Sequence, residues 1–175
     1  MEFRELIAAR RSVRGYVAAA GHGDLVEILS QARQAPSWKN LQASRCYVVE
    51  DPQVLARLRA QALPSFNQAS SANAALIVTT YVRNMVGFTS GEPDNEVGNG
   101  WGAYDLGLHD AYLVLAATNA GYDTLIMGLR DAAVIRDLLG VPEDEEVMSV
   151  IAVGKRGKEP KIKPRKPLEE VTRFI

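Results

Sequence analysis

Residues 74–82 read Ala-Ala-Leu-Ile-Val-Thr-Thr-Tyr-Val and form the clearest strand signal in the chain. β-branched and aromatic residues favour extended backbone. A run without polar alternation is typical of a strand that is covered on both faces of its sheet. The sequence therefore predicts a central strand at this position, with other elements packed against each face.

Shorter patterns on either side of this strand predict the other elements. Apolar spacing and capping residues predict helices at 2–9, 24–35, 52–61, 101–121 and 132–139, and further strands at 46–50, 124–127 and 146–153. Residues 84–100 hold four glycines and a proline, which predicts a long loop, either a lid or a simple connection. Helices and strands alternate only loosely, so we expect one α+β domain over 1–175 with a mixed central sheet.

Composition narrows the possible classes of function. The chain has 175 residues, 47% of them hydrophobic and 23% charged, with a formal net charge of −1. Such a balance disfavours nucleic-acid binding, although the basic tail leaves it as a remote alternative. No apolar run approaches the length of a membrane span, and charged residues interrupt the N-terminus, so we expect no membrane partner and a cytoplasmic location.

A search for catalytic side chains finds little. The only histidines, His22 and His109, are far apart in sequence and lack metal-ligand spacing, so we expect no metal site. His109 lies within an apolar helix and is interpreted as a buried residue with its own partners. The single cysteine, Cys46, lies in a predicted strand and is interpreted as a packing residue. This lack of nucleophiles favours a cofactor that supplies its own reactivity.

Two basic segments stand out in a chain that is nearly neutral. Residues 10–14 read Arg-Arg-Ser-Val-Arg, and residues 161–166 read Lys-Ile-Lys-Pro-Arg-Lys. A guanidinium group can donate two parallel hydrogen bonds to the oxygens of one phosphate. If the fold brings the two segments together, they are therefore expected to form a phosphate site. Either segment alone is better explained as a solvated basic patch. Between them, residues 35–42 read Ala-Pro-Ser-Trp-Lys-Asn-Leu-Gln and offer amide and hydroxyl groups to a flat heterocycle.

These segments resemble, in order, the motifs of the FMN-dependent nitroreductase family. Residues 10–16 are similar to its opening RRSxRxF/Y segment, and residues 35–42 to its APSxxNxQ loop. Residues 126–143 are similar to its late strand, turn and helix, and residues 150–154 with Lys163-Pro164-Arg165 complete the pattern. The resemblance spans nearly the whole chain. It implies a nitroreductase-like fold with a mixed sheet flanked by helices, in a homodimer whose C-terminal tail packs on the partner.

The resemblance also implies a role for particular residues. Arg10 and Ser12 would hold the FMN phosphate together with Lys163 and Arg165, and Arg14 would approach the pyrimidine side of the ring system. Some residues of the 35–42 loop would come from the neighbouring subunit, and backbone amides near Met127 and Gly128 would face the flavin. The full set implied for cofactor binding is Arg10, Arg11, Ser12, Arg14, Pro36, Ser37, Trp38, Asn40, Gln42, Asn67, Met127, Gly128, Lys163 and Arg165.

The activity implied is NAD(P)H-driven reduction of an electron-poor small molecule, such as a nitroaromatic or a quinone, through FMN. Dehalogenation or dehydrogenation on the same fold, and a flavin-binding protein without enzyme activity, remain alternatives. The chain departs from the family at two positions. Ser70 stands where some relatives carry a lysine, and the bulky Trp38 either walls the acceptor pocket or simply packs.

Overall fold

The computed structural model describes residues 1–175 as seven helices, seven strands and one 3-10 turn. The helices are α1 Phe3–Ala9, α2 His22–Ala32, α3 Pro52–Ala62, α4 Ser65–Ser70, α5 Gly100–Asn119, α6 Ala132–Leu139 and α7 Leu168–Val171. The strands are β1 Tyr16–Ala19, β2 Ser44–Val49, β3 Ala75–Val82, β4 Phe88–Thr89, β5 Glu92–Pro93, β6 Asp123–Met127 and β7 Glu145–Arg156. The 3-10 turn covers Trp38–Asn40.

The central sheet is organised around β7. Strand β7 pairs with β3, which in turn pairs with the edge strand β2; β7 also pairs with β6 and, near its end, with β1. All of these ladders are antiparallel. The expected α+β fold with helix-flanked sheet is confirmed, but the mixture of strand directions is confined to one parallel bridge between Ser12 and Thr124.

Both faces of the sheet are covered, as residues 74–82 predicted. β3 is buried over seven of its eight residues. One apolar core lies between the sheet and helices α3 and α6, where Leu58 and Ile135 are fully buried. A second core lies between the sheet and helices α2 and α5, around Ile28 and Leu113. Alternate residues of a strand point to opposite faces, so β3 supplies side chains to both cores.

A buried ion pair ties the strands beside the candidate site. Arg156 of β7 donates two hydrogen bonds to Asp123 of β6, of 2.6 and 2.8 Å. The Asp123 side chain is 8% exposed, whereas Glu159, a second partner of Arg156, is 81% exposed. Hydrogen bonding to Asp123 raises the pKa of the Arg156 guanidinium further above its ordinary value. The guanidinium therefore stays charged, and the pair holds the ends of the two strands together.

Several short elements differ from the sequence-based expectation. Strand β1 and the short helices α4 and α7 were not predicted, because each is too brief to show a period in the sequence. The 84–100 segment is not entirely a loop, since β4 and β5 form a small hairpin within it. Its two ends are tied by the side chains of Asn84 and Asn99, which hydrogen-bond at 2.9 Å. None of the helices combines the length and the hydropathy that crossing a bilayer would take.

Candidate functional site

The two basic segments line one surface depression, called here the basic depression. Its cationic lining residues are Arg10, Arg11, Arg14, Lys161, Lys163 and Arg165, with Ser12 among them. The tail therefore returns to the end of α1 within a single chain. Burial lowers the pKa of Arg10, and the nearby charges of Arg165 and Arg11 lower it further. Uncompensated like charges at this density favour an anionic ligand.

The backbone around Ser12 is fixed by the edge of the sheet. Ser12 forms the parallel bridge to Thr124, and the N–H of Val13 donates to the carbonyl of Thr124 at 3.0 Å. Val13 itself is fully buried in the first core. The side chains on either side of Val13 are thus turned outward, which places the 10–14 segment beside β6.

A second depression of about 490 Å³ continues from Arg10 and Ser12 along β6 towards α5; we call it the sheet-edge depression. Thr124, Ile126 and Gly128 line it because alternate residues at the end of β6 face the same side. Helix α5 forms the opposite wall. Further lining residues are Leu106, Gly107, Asp110, Ala111, Met148 and Ser149.

The turn after β6 carries free backbone donors. The N–H groups of Gly128 and Leu129 make no hydrogen bond to another backbone group of the chain. Gly128 is exposed, and a side chain placed there would meet nothing within 4 Å. The Met127 side chain, in contrast, is 3% exposed in the first core, so only its backbone is available to a ligand. Asn67 is buried and donates its amide to the carbonyl of Leu129 at 3.0 Å, which fixes this turn.

The 35–42 loop lies elsewhere in the chain. Pro36, Ser37 and Gln42 line a third depression, called here the loop depression, together with Asp105 and His109 of α5. None of these residues lines the basic or the sheet-edge depression. Within one chain, the structure thus joins the two basic segments but does not bring the loop to them.

The conformation of this loop is held by its own hydrogen bonds. The Ser37 hydroxyl accepts from the N–H of Gln42 at 3.1 Å, and the Gln42 side chain donates to the carbonyl of Asn40 at 3.2 Å. Lys39, Asn40 and Gln42 all have positive φ, an uncommon backbone state for residues other than glycine. Buried Asp105 accepts from the N–H of Trp38 at 2.8 Å and anchors the loop to α5.

Trp38 packs on a second tryptophan. The rings of Trp38 and Trp101 are 4.9 Å apart between centroids, and Tyr104 lies edge-on to Trp101. The Trp101 indole N–H donates to Asn95 at 2.8 Å. A Cβ at position 87 would come within 2.6 Å of the Trp101 ring, so Gly87 makes room for it. Trp38 therefore packs against Trp101 of the same chain, and part of its surface remains exposed.

A chain of buried polar groups crosses the helix between two depressions. The Nδ1 atom of His109 lies 3.2 Å from Oδ1 of Asp110, and the Thr79 hydroxyl donates to Oδ2 of Asp110 at 3.2 Å. Ser149 lies 2.9 Å from Thr79, and the Cys46 sulfur lies 3.9 Å from Nε2 of His109. The interpretation of His109 as a buried residue with its own partners fits this arrangement.

Cys46 is the single cysteine of the chain, and its labelling rate tests whether its thiol is reactive. Burial raises its pKa to about 12, with a further contribution from the charge of Asp110. At pH 8 a thiol of that pKa has a thiolate fraction on the order of one in ten thousand, so we expect alkylation about a thousand times slower than for a free cysteine. Iodoacetamide labelling followed by mass spectrometry measures this rate. Labelling of the native protein as fast as that of the urea-unfolded protein would contradict the assignment.

The sequence did not reveal several polar residues of the site. Asp105, Asp110, Thr124 and Ser149 are all buried beside the depressions. Thr124 and Ser149 sit in ordinary strand sequence and carry no signal of their own. Asp105 and Asp110 did carry a signal, because burying a carboxylate inside an apolar helix costs free energy unless the carboxylate has a partner.

Comparison with known proteins places these features in a family. The model of the nitroreductase family matches residues 7–155. A curated Bacillus subtilis (strain 168) protein, YdgI, named as a proposed NAD(P)H nitroreductase, is 24% identical over 99% of this chain and 97% of its own length.

Solved structures show the same fold. A proposed nitroreductase from Exiguobacterium sibiricum 255-15, solved in complex with FMN, has a TM-score of 0.86 at 22% identity, covering 100% of this chain and 98% of its own. A nitroreductase family protein from Streptococcus pneumoniae TIGR4 has a TM-score of 0.85 at 22% identity, covering 99% of this chain and 100% of its own. The family match extends from α1 to the end of β7, and it includes Arg10, Ser12 and the turn after β6. The chain belongs to the nitroreductase family.

Proposed function

We propose that the protein is an FMN-dependent oxidoreductase that uses NAD(P)H to reduce electron-poor small molecules such as nitroaromatics or quinones. The observation that carries the proposal is the basic depression, where burial lowers the pKa of Arg10, the charges of Arg165 and Arg11 lower it further, and no carboxylate is among the lining residues. FMN, when bound, supplies the chemistry of accepting a hydride from a reduced nicotinamide and passing it on. The FMN complex of the Exiguobacterium relative supports the same assignment.

The basic depression fits a phosphate group by its donor set. Arg10, Arg165 and Lys163 offer charged donors, and Ser12 adds a hydroxyl. A dianionic phosphate removes the repulsion among these cations and accepts charge-assisted hydrogen bonds from them. Arg11 lines the same depression but donates to the carbonyl of Arg10 at 2.7 Å, so its role is to stiffen the turn as well as to add charge.

The sheet-edge depression fits the rest of the cofactor. The depression extends from Arg10 and Ser12 to the turn after β6. There the free N–H groups of Gly128 and Leu129 can donate hydrogen bonds to the acceptor atoms of a flat heterocycle. Asn67 contributes by fixing that turn through the Leu129 carbonyl. Arg14 lines the basic depression and is the one cation left to stabilise negative charge on the ring system, because Ser70 carries none.

A homodimer completes the proposed site. Pro36, Ser37, Trp38, Asn40 and Gln42 lie on a loop that does not reach the basic depression of its own chain, so they contact the cofactor only if they come from a second copy. The exposed apolar surface needed for such contact exists on α5. Its exposed residues include Tyr104, Gly107, Ala111 and Tyr112.

The proposal is tested by the visible spectrum and by anaerobic reduction. We expect the purified protein, or the protein after addition of FMN, to show flavin absorbance, and we expect NADH or NADPH to bleach it within seconds in the absence of oxygen. Subsequent addition of a quinone should restore the absorbance. A protein that rejects FMN would contradict the proposal, and one that binds FMN without being reduced would be a flavin carrier rather than an enzyme.

A further inference from the structure

The basic depression carries more positive charge than one FMN phosphate neutralises. Six cationic residues and no carboxylate are among the residues that line it. A phosphate monoester carries a charge of about −1.5 to −2 at pH 7, so about four positive charges stay uncompensated when FMN is bound. Once the phosphate and the ring system have the residues that the proposed function gives them, Arg11 and Lys161 are left without an anionic partner.

Neither the tail nor a second copy's loop supplies the missing negative charge. No acidic residue of the tail lines the depression. Glu159 and Glu170 face cations outside it, at 2.9 and 3.8 Å. The 35–42 loop, which the proposed homodimer brings to the site from a second copy, carries Lys39 as its only charged residue. The proposed cofactor and this loop therefore leave the excess positive charge in place.

Arg11 and Lys161 both have donors to offer to an anion. Arg11 is half-buried and uses one of the five N–H groups of its guanidinium on the carbonyl of Arg10, at 2.7 Å. Burial lowers the pKa of Arg10, and the charge of Arg11 is one of two that lower it further, which places Arg11 beside the phosphate site. Lys161 is exposed, and none of the five ion pairs of the chain involves it.

The basic depression adjoins the space in which the proposed hydride donor reacts. Arg10 and Ser12 line both the basic and the sheet-edge depression. In the proposed function, the nicotinamide stacks on the ring system of FMN in the sheet-edge depression. The basic depression has a volume of about 510 Å³, and pockets of this size hold much more than one phosphate group. The phosphate end of a nicotinamide dinucleotide can therefore extend into it.

NADPH matches the excess charge better than NADH does. Both nucleotides carry the same nicotinamide and the same pyrophosphate, and NADPH adds a 2′-phosphate of about −1.5 to −2 charge on the adenosine ribose. Arginine and lysine bind such a group through charge-assisted hydrogen bonds. We propose that Arg11 and Lys161 bind the 2′-phosphate of NADPH and make NADPH the preferred electron donor over NADH. This inference rests on the proposed function, because it needs a reduced nicotinamide as the donor.

The first test measures kcat/KM of the FMN-loaded protein for NADPH and for NADH, with one quinone as acceptor and in a buffer without phosphate. We expect wild type to prefer NADPH about 10-fold or more. Lys161→Gln and Arg11→Gln should each lower this preference about 3-fold or more, whereas Lys161→Arg should keep it. Equal kcat/KM for the two nucleotides in wild type would overturn the inference, as would a preference that both glutamine variants retain.

Lys158 provides the matched control, because it is an exposed lysine of the same tail that does not line the basic depression. Lys158→Gln should leave the preference for NADPH unchanged. FMN titration and urea unfolding check that the variants load and fold, and rates are divided by the amount of bound flavin. If neither nucleotide reduces wild type, the proposed function fails; if both reduce it with equal kcat/KM, only the present inference fails.

A binding measurement without turnover tests the contact itself. 2′,5′-ADP carries the 2′-phosphate, and 5′-AMP lacks it. Isothermal titration calorimetry of the oxidised, FMN-loaded protein should show 2′,5′-ADP binding about 10-fold more tightly than 5′-AMP, and Lys161→Gln should remove most of this difference. Salt should weaken it, because the Debye length falls from about 10 Å at 0.1 M to about 3 Å at 1 M. Equal affinities would overturn the inference, as would release of FMN by 2′,5′-ADP.

Discussion

Replacing Arg10 by alanine is expected to weaken FMN binding by about 10- to 100-fold, because a hydrogen bond to a charged group contributes roughly 1.5–3 kcal/mol. Arg10 lies at the end of α1, where burial and the neighbouring Arg165 and Arg11 lower its pKa. A phosphate dianion relieves this repulsion. Titration of the cofactor-free protein into FMN, followed by the quenching of flavin fluorescence, measures the change.

Two comparisons make the Arg10 result specific. Riboflavin has the same ring system without the phosphate, so Arg10→Ala should change its affinity little. Arg57→Ala removes an exposed arginine of α3 and serves as the matched control.

Arg165→Ala should act in the same direction as Arg10→Ala, and inorganic phosphate should raise the Tm of wild type more than that of either variant. Equal losses of affinity for FMN and riboflavin would place Arg10 outside the phosphate site.

Replacing Asp123 by asparagine is expected to lower the free energy of unfolding by about 2–3 kcal/mol, because it leaves the buried side of Arg156 without its charged partner. The loss falls below the range for a fully buried pair, since the Arg156 side chain is 33% exposed and water replaces part of the contact. Urea unfolding followed by circular dichroism gives the change.

Glu159→Gln is the matched control for Asp123, because both carboxylates contact Arg156 and only their burial differs. An exposed ion pair contributes about 0–1 kcal/mol, so this variant should stay close to wild type. Asp123 precedes Thr124, whose carbonyl holds Val13, and so Asp123→Asn should also reduce FMN affinity. Equal effects of the two variants would contradict a structural role for the buried pair.

The site divides into parts that the sequence predicts and parts that it does not. Arg10, Ser12, Lys163 and Arg165 are recognisable because charge clusters are rare in a nearly neutral chain and phosphate chemistry needs them. Backbone amides near Met127 and Gly128 were expected to face the cofactor, and the N–H groups without a backbone partner in this turn are those of Gly128 and Leu129. A one-residue difference of this kind depends on where the strand ends, and sequence alone does not fix that end.

Asp110 shows the opposite case. Its residue type was visible in the apolar helix, but its partners come from β3 through Thr79 and from the preceding residue His109. Thr79 lies 31 positions away along the chain. Whether a buried carboxylate is a packing defect or a structural bond depends on those partners.

The sequence by itself determined the α+β class, the covered central strand at 74–82, the helices that flank it and the two basic segments. These are local properties, because side-chain period, β-branching and charge act over a few neighbouring residues. The tertiary structure alone decided that the tail returns to α1, that the 35–42 loop stays apart from the basic depression, and that His109 and Asp110 join two openings. Those facts follow from contacts between distant segments, which form only when the sheet buries its two faces and brings its edges together.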